Sequence, residues 1–111
     1  FAYSKAVKKA EVAAADRVRA RLTAELTALL RKDGVLILPS MADIAPKLSD
    51  TEAELQAYRD KSINILCLSG LSRLPQLSMP LARRLGAPLG LSIMGPAGTD
   101  RSLIRIAEEI G

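Results

Sequence analysis

The chain has 111 residues, 49% hydrophobic and 25% charged, with no histidine. These proportions belong to one small folded domain, or part of a larger one, and exclude a disordered chain. The net charge of +4 is interleaved with acids such as Glu11, Asp16 and Glu25, which reads as a solvated helix face rather than a concentrated nucleic-acid footprint.

In chain order, residues 2–31 carry one apolar stripe, Val7, Ala10, Ala14, Val18, Leu22, Leu26 and Leu29, at three- and four-residue steps. At 1.5 Å per residue such a helix is about 45 Å long, more than a chain of this size covers alone. Gly34 stands where a left-handed helix cap is expected. Residues 35–38 are continuously apolar and read as a strand buried on both faces. Pro39 and Pro46 bracket a loop over residues 40–48. Ser49 or Asp50 is expected to cap a helix over 51–60, with Glu52 and Glu54 at its positive end. A second, apolar helix is expected over 62–68, followed by a loop, "SGLSRLP", and a strand over 76–79 that Pro80 stops. Residues 82–88 read as a hairpin turn exposing Arg83, Arg84 and Gly86, and 89–94 as a strand. After Gly95-Pro96-Ala97-Gly98, Thr99 or Asp100 caps a last helix whose inner face is Leu103, Ile104, Ala107 and Ile110. The class is α/β: a few strands of a larger mixed sheet with covering helices.

No segment holds the roughly 18 apolar residues of a membrane span, and no basic-then-apolar leader opens the chain. Lone Cys67 forms no intrachain disulfide and reads as a small hydrophobe. A cytoplasmic protein without membrane or nucleic-acid partners is the expectation. Phe1 stands where a start would place Met, and the helical pattern opens at once, so residues upstream are expected.

Gly70-Leu71-Ser72-Arg73-Leu74 matches the nucleophile elbow GxSxG at four of five positions. With no histidine in the chain, a Ser-His-Asp triad, Cys-His chemistry and histidine-bearing zinc sites are all excluded within it. Gly95 to Asp100 follows a strand and opens a helix, yet it lacks the lysine of a phosphate loop, and Asp100 opposes an anion. Asp43 is the one carboxylate on a loop expected to face a pocket, with a structural role the simpler reading. The lysines read as solvated surface. The residues alone form no complete catalytic constellation, and no metal or cofactor is expected.

Four segments read in order carry a resemblance: "DGVLILPS" from Asp33, "YRDKSINILCLSGL" from Tyr58, "PQLSMPL" from Pro75, and "GAPLGLSIMGPAGTDRSLIRIAEEI" from Gly86. Together they resemble the C-terminal end of the amidase signature family. The spacing between Ser69-Gly70-Leu71 and Pro75 is similar to the branch holding plant indole-acetamide hydrolases and chloroplast-envelope receptors. The resemblance implies a Ser–cis-Ser–Lys triad that hydrolyses a carboxamide to acid and ammonia without metal or cofactor. No Gly-Gly-Ser-Ser-like run occurs here, so no catalytic residue carries over. The whole chain, 1–111, is then one C-terminal segment of an amidase domain, and its implied partners are the N-terminal catalytic portion and a small amide substrate, with a homo-oligomer left open. Ser40 and Met41, just past a strand's C-terminal end, are expected to line the substrate pocket together with Ser69, Gly70 and Ser72. Two other readings stand beside this one: a non-catalytic, receptor-like or structural protein of the same fold, and a small basic binding module.

Overall fold

The computed structural model describes residues 6–111. Its elements are α1 (Lys9–Leu30), β1 (Leu36–Pro39), α2 (Glu52–Ser72), β2 (Gln76–Arg84), β3 (Ala87–Met94) and α3 (Asp100–Ile110). The strands form one antiparallel sheet in the order β1-β3-β2. The described chain is a thin slab, 46 × 43 × 19 Å. That thickness holds a sheet and its helices, with no further layer.

Strand alternation sorts the side chains of the sheet onto two faces. On one face, Leu38 and Met94 join Leu26 and Leu30 of α1, and Leu74, in a single apolar cluster, with Ile65 and Leu68 of α2 packed against it. On the other, Met79 and Ile93 pack under Leu103 of α3, with Leu77, Ile106 and Ala107 around them. β3 lies between both clusters and is the true central strand: Ser92, Ile93 and Met94 are nearly inaccessible.

Several sequence expectations change. Residues 2–5 of the first expected helix lie outside the described residues, and α1 begins at Lys9. Of its stripe only Leu26 is buried and Leu22 half-buried, whereas Val7, Val18 and Leu29 are exposed; Leu30, outside the expected stripe, is the second covered residue. Its C-cap is Arg31, not Gly34, and at φ 56° and ψ −131° it lies outside the left-handed helical region. β1 is an edge strand covered on one face, with Leu38 buried and Ile37 63% exposed. A continuous apolar run therefore overstated its burial.

The two short helices and the first part of the loop expected after them, as far as Ser72, are one helix, α2. It is capped by Thr51, whose hydroxyl accepts from Glu54 N at 3.3 Å while the Glu54 carboxylate accepts from Thr51 N at 2.7 Å. This is a reciprocal capping box. Asp50 closes the preceding turn instead, accepting from Lys47 N at 2.9 Å.

Pro80 does not stop β2. The register slips between Met79 and Ala82, and the irregularity absorbs the proline on an edge strand. The strand then runs to a two-residue turn, Leu85 (φ 51°) and Gly86 (φ 80°), the left-handed pair that matches hairpin twist. In α3 the buried face is Leu103 with Ile106 and Ala107. Ile104 and Ile110, expected inside, are exposed. Thr99 holds the N-cap position, but its hydroxyl donates back to Pro96 O at 2.7 Å.

Candidate functional site

β1 ends at Pro39, and the next residue stays on the ladder: Ser40 N donates to Gly90 O at 2.9 Å. That bond aims the Ser40 side chain across the sheet. Its Oγ lies 2.5 Å from Ser78 Oγ and 2.7 Å from Ser92 Oγ. Ser78 and Ser92 are register partners on β2 and β3, and Leu38 flanks Ser92 from β1. Three hydroxyls, two from strands and one from the residue that follows β1, thus meet on one face.

Gly90 makes the meeting sterically feasible. A Cβ at that position would stand 2.7 Å from Ser40 Oγ and 3.0 Å from Ser78 Oγ. The cluster floors an open depression of about 530 Å³, with Met41 and Leu66 as its apolar wall and Ser69 and Gln76 on its rim. No charged side chain lines it among the described residues.

Of the five residues singled out in the sequence, Ser40, Met41 and Ser69 come together here. Gly70 and Ser72 do not join them. Gly70 lies on the exposed surface of α2, with nothing within 4 Å of a Cβ placed there. Ser72 is buried at the C-terminal end of α2, where its hydroxyl donates to Leu68 O at 2.5 Å. It borders a separate depression with Leu71 and Arg73 against α1. A serine bonded to its own helix one turn back has no elbow geometry. Ser78, Ser92 and Gln76 were missed. The signal that points to them is the alternation in "QLSMP" and "GLSIM", which places Ser78 and Ser92 on the same face once the register is known.

A second depression, of about 440 Å³, lies where the loop after β1 meets the hairpin. Asp43, on that loop, pairs with Arg84 of β2, accepts from Ile44 N at 2.7 Å, and has its backbone carbonyl held by Tyr58 OH at 3.1 Å. The Arg84 guanidinium, then the Ile44 N–H, hold the Asp43 carboxyl below its ordinary range. A carboxylate so engaged is a poor general base, and the pair acts as a clasp. The cations around it, Lys47, Lys61 and Arg84, are matched by Asp43, Asp50 and Glu54.

The antiparallel sheet between helices is the fold of a segment of amidase-type α/β proteins. A solved structure described as an amidase superposes with a TM-score of 0.82 at 28% identity, over 95% of this chain and 25% of that one. The sequence profile of the Amidase family matches residues 1–104, and the chain belongs to that family. Amidase 1 of Oryza sativa subsp. japonica is 33% identical over 93 residues, which is 84% of this chain and 21% of the relative. The translocon at the outer membrane of chloroplasts 64 of Pisum sativum is 30% identical over 98 residues, 88% of this chain and 16% of the relative. The chain therefore spans about a fifth, or less, of the length of these curated relatives.

One expectation is overturned by these relatives. The cytoplasmic assignment does not stand, because family relatives at this level of similarity include proteins of the chloroplast and mitochondrial outer envelopes. Composition does not distinguish such a location. No helix among the described residues is long and apolar enough to cross a membrane.

Proposed function

We propose that this chain is the C-terminal segment of an amidase domain whose complete form hydrolyses a carboxamide to a carboxylic acid and ammonia. In that reading a serine, activated through a second serine and a lysine outside this chain, attacks the carbonyl carbon. The amide nitrogen leaves as ammonia, and water then releases the acid from the acyl-serine. The segment contributes a wall of the substrate pocket, with Ser40, Met41 and Ser69 on the side facing the substrate. The observation that carries the proposal is the family match over residues 1–104 in a chain covering about a fifth of the rice relative. The uncovered apolar side chains support it. Val18, Leu29 and Ile37 are 57%, 66% and 63% exposed, as expected of surfaces that the rest of a domain covers.

The relationship to a chloroplast outer-membrane translocon component favours one second reading, a non-catalytic protein of the same fold. Native mass spectrometry of the purified material, followed by a denatured intact mass, tests the first. An 11.9 kDa chain riding in a larger complex that releases ammonia from simple amides is the expected result. The 111-residue chain alone is expected to release none, since it lacks a nucleophile with its base. A larger complex with both serines and the lysine in place but no amide turnover favours the non-catalytic reading.

A further inference from the structure

The serine cluster has a direction. Each hydroxyl has one proton to give and lone pairs to accept with. Three hydroxyls share two hydrogen bonds here, both through Ser40 Oγ. Ser92 is 0% exposed, and Ser40 Oγ is its partner among the described residues. If Ser92 accepted from Ser40, its own proton would be buried with no acceptor, and the group would keep its full desolvation penalty. Ser92 therefore donates to Ser40. Ser40, its proton free, donates to Ser78. Ser78 is exposed, accepts from Ser40, and keeps a proton to give outward. Hydrogen bonds in series polarise one another, so the outermost O–H is a stronger donor than an isolated serine.

We propose that Ser92, Ser40 and Ser78 form a one-way hydroxyl relay that presents the Ser78 O–H to the carbonyl oxygen of a small neutral ligand seated beside Met41 and Leu66. Neutrality follows from the lining. No charged side chain borders the depression among the described residues, so a carboxylate entering it would shed water with no cation in exchange. Met41 and Leu66 offer contact to a short apolar substituent, and the Gln76 side chain on the rim has an acceptor for a ligand N–H. That the carbonyl is a carboxamide rests on the amidase reading, whereas the donor relay and the preference for a neutral carbonyl do not.

The test is a proton–nitrogen NMR titration of the protein with propionamide, acetone and propionate. Saturating shifts at the amides of Ser40, Gly90 and Ser92 are expected with propionamide and acetone, and affinity about ten-fold weaker with propionate. Ser78→Ala removes the outer donor and is expected to lower propionamide affinity about five-fold, with spectra unchanged away from the cluster. Ser92→Ala, at a residue too buried to touch the ligand, is expected to lower it about two-fold through the weakened relay. Ser78→Cys, which keeps the size with a weaker donor, is expected to fall between wild type and Ser78→Ala, and it serves if the alanine variant misfolds. Propionate binding as tightly as propionamide, no saturating shift with any probe, or an affinity indifferent to both Ser78 variants would overturn the relay. Acetone binding that depends on Ser78, in material whose native complex releases no ammonia, would uphold the relay and sink the amidase reading. Ammonia release with a Ser78-indifferent affinity would do the reverse.

Discussion

The two ends of the sheet are built on different principles. At the end where β3 finishes, Ser92, Ile93 and Met94 are 0–2% exposed and covered by α1 and α2 on one face and α3 on the other. At the hairpin end, Leu81 and Leu85 are 42% and 85% exposed, and a surface ion pair ties Arg84 to the loop at Asp43. Packing holds the first end, while turn geometry and one charge pair hold the second. The serine cluster lies between them, where the helices thin out and polar groups reach both a buried strand and solvent. A site at that boundary has a rigid floor from the covered end and access from the open one.

Truncation at the covered end should break this contrast most forcefully. Met94 is 0% exposed and contacts both α1 and the α2–β2 connection through Leu26, Leu30 and Leu74. Met94→Ala is expected to cost about 3 kcal/mol, the loss of buried surface plus a cavity that a slab this thin relaxes only partly. Urea unfolding followed by far-ultraviolet dichroism measures it. A cost below about 1 kcal/mol would mean that the covered end is not the stability core.

The next effect is smaller and has opposite signs at adjacent residues. Leu85 and Gly86 both sit at positive φ, 51° and 80°, where a side chain is disfavoured. Gly86→Ala is expected to destabilise by about 1 kcal/mol. Leu85→Asn is expected to stabilise by about 0.5 kcal/mol, because asparagine tolerates the left-handed region and leucine, exposed here, loses little contact. The same urea midpoints check both, and equal signs would show that turn geometry does not govern this end.

Much of the architecture was legible in the sequence because it is local. The apolar periods, the break at Gly34, the acidic first turn of α2 and the glycine-proline run before α3 each state their own structure. The errors share a physical source. "SGLS" has loop composition, yet Ser72 satisfies its hydroxyl on Leu68 O, Ser69 satisfies its own on Leu74 O at 3.0 Å, and Gly70 faces outward, so the helix absorbs all three. The continuous apolar run of β1 signalled burial on both faces, but the described chain supplies only one cover. The serine cluster was half legible. Ser40 stood out beyond a strand end, but its partners are 38 and 52 residues away in sequence and are selected by strand register alone. Family resemblance was recoverable because it depends on motif order, which survives without any contact being known.

The smallest expected effect concerns the clasp at the open end, and its sign is fixed by linkage. The Arg84 guanidinium and the Ile44 N–H lower the folded-state pKa of Asp43 beneath its ordinary value of 3.8. Protons therefore bind the unfolded chain more readily than the folded one, and stability rises with pH through that interval. The contribution is complete above 3.8 and is lost as pH falls through the lower, folded-state value. Because both side chains are about half exposed, solvent and salt screen the pair, so the effect is small at any pH. Comparing wild type with Asp43→Asn across the acid range measures it: the stability gap should be flat near neutrality and close on acidification. It should also narrow with added salt, which leaves the Met94→Ala deficit in place. A gap that persisted unchanged in acid and in high salt would mean that Asp43 acts through the shape of its loop, and that the open end, like the covered one, is held by packing.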